Sequence, residues 1–121
     1  MDCVFCRITE KKIPARIIFE NERVIIFKDH RPQVRLHLLV CPKRHFPTFC
    51  DTPIDEVAYL FKVCRQLAEY LKVQNGFRLM INNGPQSGQI VFHLHVHFLC
   101  WTRDIGDEKI DLAIDEIEDS G

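Results

Sequence analysis

The sequence predicts an α+β domain in which short antiparallel strands flank one long helix. Three observations point there. Five short apolar or alternating runs are set apart by turn residues, and residues 52–71 repeat their apolar positions at helical spacing. The connections are too short for several strand–helix–strand crossovers, so the strands are expected to run as a meander. At 121 residues the chain is sized for one domain with one core.

Taken in order, "ARIIFENERVIIFKD" reads as two strands, Arg16–Glu20 and Val24–Asp29, around a polar turn at 21–23. "RPQVR" is a loop. Leu36–Cys41 is a third strand, stopped by Pro42, which cannot donate to the ladder. The helix over 52–71 opens with Thr52 as expected N-cap, Pro53 at the first helical position and Asp55 three residues on. Ile54, Val57, Leu60, Phe61, Cys64, Leu67, Ala68 and Leu71 form its apolar face, and Asn75–Gly76 ends it. Phe77–Asn82 is a fourth strand. The glycine-bearing loop "NGPQSGQ" then leads into a long fifth strand, Ile90–Trp101. The tail after Trp101 is acidic. It is expected either to place Ile110, Ile114 and Ile117 on a short amphipathic helix or to fray.

Composition bounds the partners. Hydrophobic residues make up 46% and charged residues 27%, the formal net charge is −1 and the pI is near 6.6. No basic surplus exists for bulk capture of a nucleic-acid polymer, so a nucleotide would need a local site. No apolar run nears the roughly 20 residues a bilayer requires, and no signal-peptide core is present. A cytoplasmic protein without membrane contact is the expectation. The six cysteines are then expected as free thiols. Cys41, Cys50, Cys64 and Cys100 have no ligand spacing and read as small core residues.

The chemistry concentrates in "FHLHVHFLC", where His93, His95 and His97 alternate. On a strand they share one face, while Leu94, Val96 and Phe98 take the other and pack under the helix. At about 3.3 Å per residue the outer two backbones lie roughly 13 Å apart. Zinc–nitrogen bonds are about 2.1 Å, so one metal cannot gather all three. Histidine titrates near neutrality, which suits proton transfer and nucleophilic work. The preceding loop carries Asn82, Asn83, Gly84, Gly88 and Gln89. Its glycines let backbone N–H groups approach an anion. One histidine on a half-buried strand would be unremarkable; three on one face beside such a loop are not.

"HLHVHFL" fits the pattern His-φ-His-φ-His-φ-φ, with φ apolar, and so resembles the histidine triad (HIT) family. The blocks "DCVFCRITEKKIPARIIFENERVIIFKDHRPQ", "HLLVCPKRH" and "FRLMINNGPQSGQIVFHLHVH" are similar to successive blocks of its Hint branch. The resemblance covers residues 2 to about 101, which sets a domain at 1–101 against an acidic tail at 102–121.

The resemblance implies a five-stranded antiparallel sheet with one long and one short helix. It also implies a homodimer joined through the long helix and the fourth strand. The implied activity is hydrolysis or transfer at the α-phosphate of purine nucleotide conjugates, such as an adenosine phosphoramidate or a dinucleoside polyphosphate. His95 would be the nucleophile and form a nucleotidyl-histidine intermediate. The His93 carbonyl would set its tautomer, His97 would contact the phosphate, and His37 would support the cluster. Asp29 would bind the ribose hydroxyls. Phe5, Ile8 and Phe27 would wall the base, with His30 beside it where the Hint branch usually has an aliphatic residue, a departure that would shift substrate preference, and Asn82, Gly88 and Gln89 would meet the phosphates. Ile90 stands where the family commonly has Ser or Thr, so a hydroxyl donor is lost. That favours an alternative in which the same pocket binds nucleotide with little turnover.

"CVFC" has C-x2-C spacing. From the residues alone it can be a redox pair, a disulfide or half of a zinc site. The resemblance implies completion by His45 of "PKRH" and by His93, giving a closed, structural zinc site of Cys3, Cys6, His45 and His93. A rival places zinc at an open site on His93 and His95, as a hydrolytic metal.

Overall fold

A computed structural model describes residues 3–114. Strands β1 (Ile17–Glu20), β2 (Val24–Lys28), β3 (Leu36–Pro42), β4 (Arg78–Met80) and β5 (Val96–Cys100) form one antiparallel sheet. A short helix α1 (Val4–Thr9) precedes it and a long helix α2 (Ile54–Leu71) crosses between β3 and β4. The strand order is β1-β2-β3-β5-β4. The expected meander therefore holds only through β3. β5 enters beside β3 and leaves the short β4 at the edge.

The sheet divides two apolar layers by the alternation of side chains. Val24, Ile26, Leu38, Val40, Val96 and Phe98 point toward α2 and meet Tyr59, Leu60, Val63, Leu67 and Leu71. Ile25, Phe27, Leu39 and Cys41 point the other way and meet Cys3, Phe5 and Ile8 from the α1 segment. That second layer borders the histidines.

Several sequence expectations need correction. Thr52 does not cap α2: its hydroxyl donates to the Thr48 carbonyl at 2.7 Å, and Pro53 stands at the N-cap with no side-chain bond. The helix stops at Leu71, with Lys72 in the left-handed region at φ 60°, before Asn75–Gly76. The Arg103 guanidinium bonds the Leu71 carbonyl and satisfies part of that end. Ile54 and Phe61 are not core: they are 77% and 40% exposed. β4 is shorter than Phe77–Asn82, and β5 starts six residues after Ile90. Cys50 is exposed, whereas Cys41, Cys64 and Cys100 are buried as expected.

The described part of the tail is neither a helix nor frayed. Ile110 N–H donates to the Ile18 carbonyl at 2.8 Å and Leu112 is buried against the main core. Ile117 lies outside the described residues. No helix among the described residues is long and apolar enough to cross a membrane.

Glu20, at the end of β1, ties the N-terminal segment to β3. It accepts from Lys11 Nζ at 2.9 Å and Lys43 Nζ at 2.8 Å. These two bonds hold its carboxyl down at about 2 from 4.5. Taken at face value that shift is worth about 3 kcal/mol, and solvent screening reduces it to about 1–2 kcal/mol. A depressed folded pKa stabilises above the unfolded value, and the contribution fades as pH falls from 4.5 toward 2. Glu20→Gln should therefore be less stable than the parent near neutrality by denaturant titration, and the gap should close over that acid range. A gap independent of pH would contradict the ion-pair account.

Candidate active site

The three alternating histidines are set apart by their hydrogen bonds. Leu94, Val96 and Phe98 sit in the main core, so His93, His95 and His97 are turned to the opposite side. Only His97 lies on β5 itself. The backbone ahead of it leaves the ladder, with Leu94 N–H donating to the Phe46 carbonyl at 2.7 Å.

Each ring has its tautomer fixed by a different partner. His93 Nε2–H donates to the Pro42 carbonyl at 2.7 Å, which leaves a lone pair on Nδ1. His95 Nδ1–H donates to the His93 carbonyl at 2.7 Å, which leaves a lone pair on Nε2. The His97 tautomer is fixed through a chain of two hydrogen bonds. Gln33 N–H donates to His37 Nδ1 at 3.1 Å, so the proton of His37 is on Nε2. That proton is shared with His97 Nδ1 at 2.8 Å. His97 therefore carries its own proton on Nε2, a buried nitrogen with no hydrogen-bond partner among the described residues. An unpaired buried donor is costly, and a ligand acceptor would relieve it.

Burial keeps these rings neutral. His93 and His97 are both lowered to about 4, first by burial and then by neighbouring groups. His95 and His37 are lowered too, again first by burial. A neutral His95 with an open Nε2 is a nucleophile's state. The half-buried His95 ring stands between Phe5 at 5.1 Å and His97 at 4.9 Å between ring centres.

Asp29 follows β2. Its Oδ1 accepts from Arg31 N–H at 2.8 Å, and its Oδ2 lies 3.4 Å from His37 Nε2. Asp29, His37 and His97 form one compact group. The 2.8 Å contact between the two rings is a shared proton, shorter than the about 3.4 Å that two nitrogens keep around tetrahedral zinc.

A second group has a metal's spacing. Cys3 opens α1 as its N-cap, and Cys6 lies one turn on. Their sulfurs approach His93 Nδ1 at 3.4 and 3.6 Å. His45 Nδ1 lies 3.5 Å from Cys6 Sγ and 3.3 Å from His93 Nδ1. Tetrahedral zinc with sulfur at about 2.3 Å and nitrogen at about 2.1 Å keeps its ligand atoms about 3.4–3.8 Å apart. The four atoms match that shell. The Cys6 thiol is pushed up to about 11 by burial and by Cys3 beside it, a state a dication would reverse. His95 is outside the group, so an open site on His93 and His95 does not fit.

The HIT domain family model matches residues 10–103. The chain belongs to the HIT family. An HIT-like protein of Chlamydia pneumoniae is 42% identical over 99 residues, covering 79% of this chain and 90% of its own. A HIT family hydrolase from Legionella pneumophila superposes with a TM-score of 0.78 at 35% identity, over 87% of this chain and 96% of that one. A zinc-bound histidine triad family protein from Mycobacterium smegmatis does so with a TM-score of 0.72 at 36% identity, over 84% and 76%. The five-stranded antiparallel sheet and the two helices match this fold, and this chain adds a Cys/His cluster that could hold zinc.

The remaining residues singled out from the sequence fall unevenly around this HIT site. Phe5, Ile8 and Phe27 share the apolar layer beside His95, with Phe5 edge-on to Phe27 at 5.3 Å. His30 is exposed. Gly88 takes φ 97°, a conformation that favours glycine, and closes the short turn Pro85–Ser87. Asn82 is half-buried at the mouth of that loop. Gln89 is spent on architecture: its Oε1 accepts from Gly84 N–H at 2.7 Å and its Nε2 donates to the carbonyls of Pro47 and Val91. Its side chain braces the loop and is not free to donate to a phosphate. Sequence reading missed the Pro42 carbonyl and the Gln33 amide. Backbone groups carry no residue-type signature, and the proline that stops β3 was their only trace.

Proposed function

We propose that this HIT protein is a Hint-type hydrolase acting at the α-phosphate of nucleotide conjugates, nucleoside phosphoramidates or dinucleoside polyphosphates, through a nucleotidyl-His95 intermediate. The observation that carries the reading is the pair of opposite tautomers side by side. His95 offers a lone pair at Nε2, and His97 offers a buried, unpaired N–H. A phosphoryl group needs one of each: an electron pair at phosphorus and a donor at its oxygen.

In the first step His95 Nε2 attacks phosphorus, the bond to the leaving group breaks, and that group takes a proton from solvent. The ring becomes cationic, and the His93 carbonyl accepts a stronger hydrogen bond from Nδ1–H. In the second step water attacks phosphorus, the P–N bond breaks, the nucleoside monophosphate leaves and one proton returns to solvent. The Nε2–H of His97 holds a phosphoryl oxygen throughout. Asp29 would receive the ribose hydroxyls with a carboxylate that accepts two protons. Phe5, Ile8 and Phe27 would flank a purine, with the exposed His30 nearby, and Asn82 and the Gly88 turn would face the phosphates.

Cys3, Cys6, His45 and His93 would hold a zinc ion, which supplies structural cross-linking with its four positions filled by protein. The exposed edge of β4, together with Ile54, Phe61 and Tyr70 on α2, supports a two-fold dimer. We place the protein in the cytoplasm, with a C-terminal acidic segment whose Ile110 and Leu112 pack back onto the core of the catalytic domain.

The test is release of nucleoside monophosphate from an adenosine phosphoramidate by the purified protein, followed by chromatography before and after brief chelation. Turnover that outlasts removal of free metal is expected. Nucleotide binding without turnover would favour the scaffold reading, which Ile90, 87% exposed and without a hydroxyl, supports.

A further inference from the structure

We propose that Phe5 is a positioning residue for His95, kept in place by the two cysteines that flank it. The inference rests on the reading of His95 as nucleophile. Its spectroscopic arm stands apart from that reading.

The His95 ring is anchored by one hydrogen bond, from Nδ1 to the His93 carbonyl. A single bond leaves the ring free to tip about it. Two neighbours limit that motion. His97 meets it at 4.9 Å and 63°, and Phe5 meets it at 5.1 Å and 78°. His97 is on β5 and is bonded to His37, so that side is rigid. Phe5 belongs to α1, a helix of 6 residues that forms no part of the sheet. A helix this short has no stability of its own. It is held by what its side chains grip: Phe5 and Ile8 in the apolar layer with Ile25, Phe27, Leu39 and Cys41, and, on the histidine side, Cys3 and Cys6, converging with His45 and His93.

Phe5 also meets the His93 ring at 5.8 Å and Phe27 at 5.3 Å. One aromatic ring thus touches a ligand of the metal group, the nucleophile and β2. His93 links the same two sites a second time, through Nδ1 on one side and its carbonyl on the other. The Cys-Val-Phe-Cys segment therefore converts order in the metal group into a fixed plane for His95. In-line attack depends on that plane, and a misplacement near 1 Å costs about 10²-fold in favourable cases.

The experiment uses the full-length, zinc-loaded protein labelled with 15N and free of nucleotide. Side-chain histidine signals are recorded for the parent, Phe5→Leu and Phe5→Ala, each before and after chelation. Single-turnover rates are measured with a purine and a pyrimidine phosphoramidate. In the parent, His95 should give one sharp set with Nδ1 protonated. In Phe5→Ala its signals should broaden or split while those of His37 and His97 persist, and the single-turnover rate should fall about tenfold by the same factor for both bases. Phe5→Leu, which keeps most of the volume, should lie between and carries the test if the alanine variant does not fold. Chelation should broaden His95 in the parent and add clearly less in Phe5→Ala, where only the route through the His93 carbonyl remains, the non-additivity expected of a shared pathway. Unchanged His95 signals with a base-dependent rise in KM alone would overturn the proposal and leave Phe5 as a wall of the base pocket. Equal chelation effects in parent and variant would overturn the link to the cysteines. If His95 is not the nucleophile, His95→Ala retains turnover while the signal changes still occur, so the two failures are distinguishable.

Discussion

His95→Ala should lower single-turnover hydrolysis of an adenosine phosphoramidate by at least about 10³-fold, while affinity for the nucleoside monophosphate stays nearly unchanged. The size follows from what the side chain supplies. Without the Nε2 lone pair the reaction loses its covalent path, and water must attack the substrate directly. On the proposed reading the ring would be a minor part of the apolar surface met by the base, most of which would come from the layer of Phe5, Ile8 and Phe27. Loss in kcat without loss in binding is the signature of an interaction made only along the reaction path. His97→Ala should differ in kind. It removes a donor to a phosphoryl oxygen, so about 10²-fold is expected, and the covalent path survives. Equal losses for the two variants would argue that the rings act interchangeably, against their opposite tautomers.

Disrupting the Cys/His group should have the largest effect on stability. His45→Ala removes one of four converging atoms and leaves two sulfurs and His93 Nδ1 without a closed shell. Bound zinc should fall from one per chain to near none by metal analysis. The loss of a structural zinc site should cost about 3 kcal/mol or more, which for a domain this size is roughly 10 °C or more in Tm. Chelation of the parent should reproduce the variant's Tm, and chelation of the variant should change nothing further. The group ties α1, which takes part in no strand pairing, to the segment after β3 and the approach to β5. A variant that keeps the parent's Tm and metal content would contradict a metal role for His45.

How much of this was readable from sequence depends on the kind of force involved. The long helix was legible because its apolar period runs over 18 residues, enough to outweigh local accidents. Its ends were not. Thr52 is a good cap by type, yet its hydroxyl finds the Thr48 carbonyl first. Ile54 and Phe61 share the helical period but face outward. An apolar stripe does not say which of its edges the sheet covers. β5 is shorter than its pattern suggests because residues 90–95 keep strand-like alternation while the backbone bends away, Leu94 N–H reaching the Phe46 carbonyl and the His93 ring reaching the Pro42 carbonyl. That bend is what lets His93 meet the cysteines. Strand order was invisible to local pattern, since β5 pairs with β3 across α2 and β4.

In the site, residue types were legible and most of the bonding was not, the exception being the His93 carbonyl on His95, which the family resemblance implied. The Cys-x2-Cys pair, His45 and His93 converge as the family resemblance implied. The resemblance implies Gln89 at the phosphates, yet its amide is consumed by three backbone partners. The tautomers depend on the Pro42 and His93 carbonyls and the Gln33 amide, which any residue would supply. Only the fold decides where such groups point.

The most direct test is to catch the intermediate. The parent protein is mixed with an adenosine phosphoramidate and quenched in alkali, where a phosphorus–imidazole bond survives, and its peptides are then weighed. A peptide heavier by one adenylyl group, with the modification on His95 and absent from His95→Ala, is the predicted result. Full turnover with no such adduct, or an adduct on another side chain, would contradict the account.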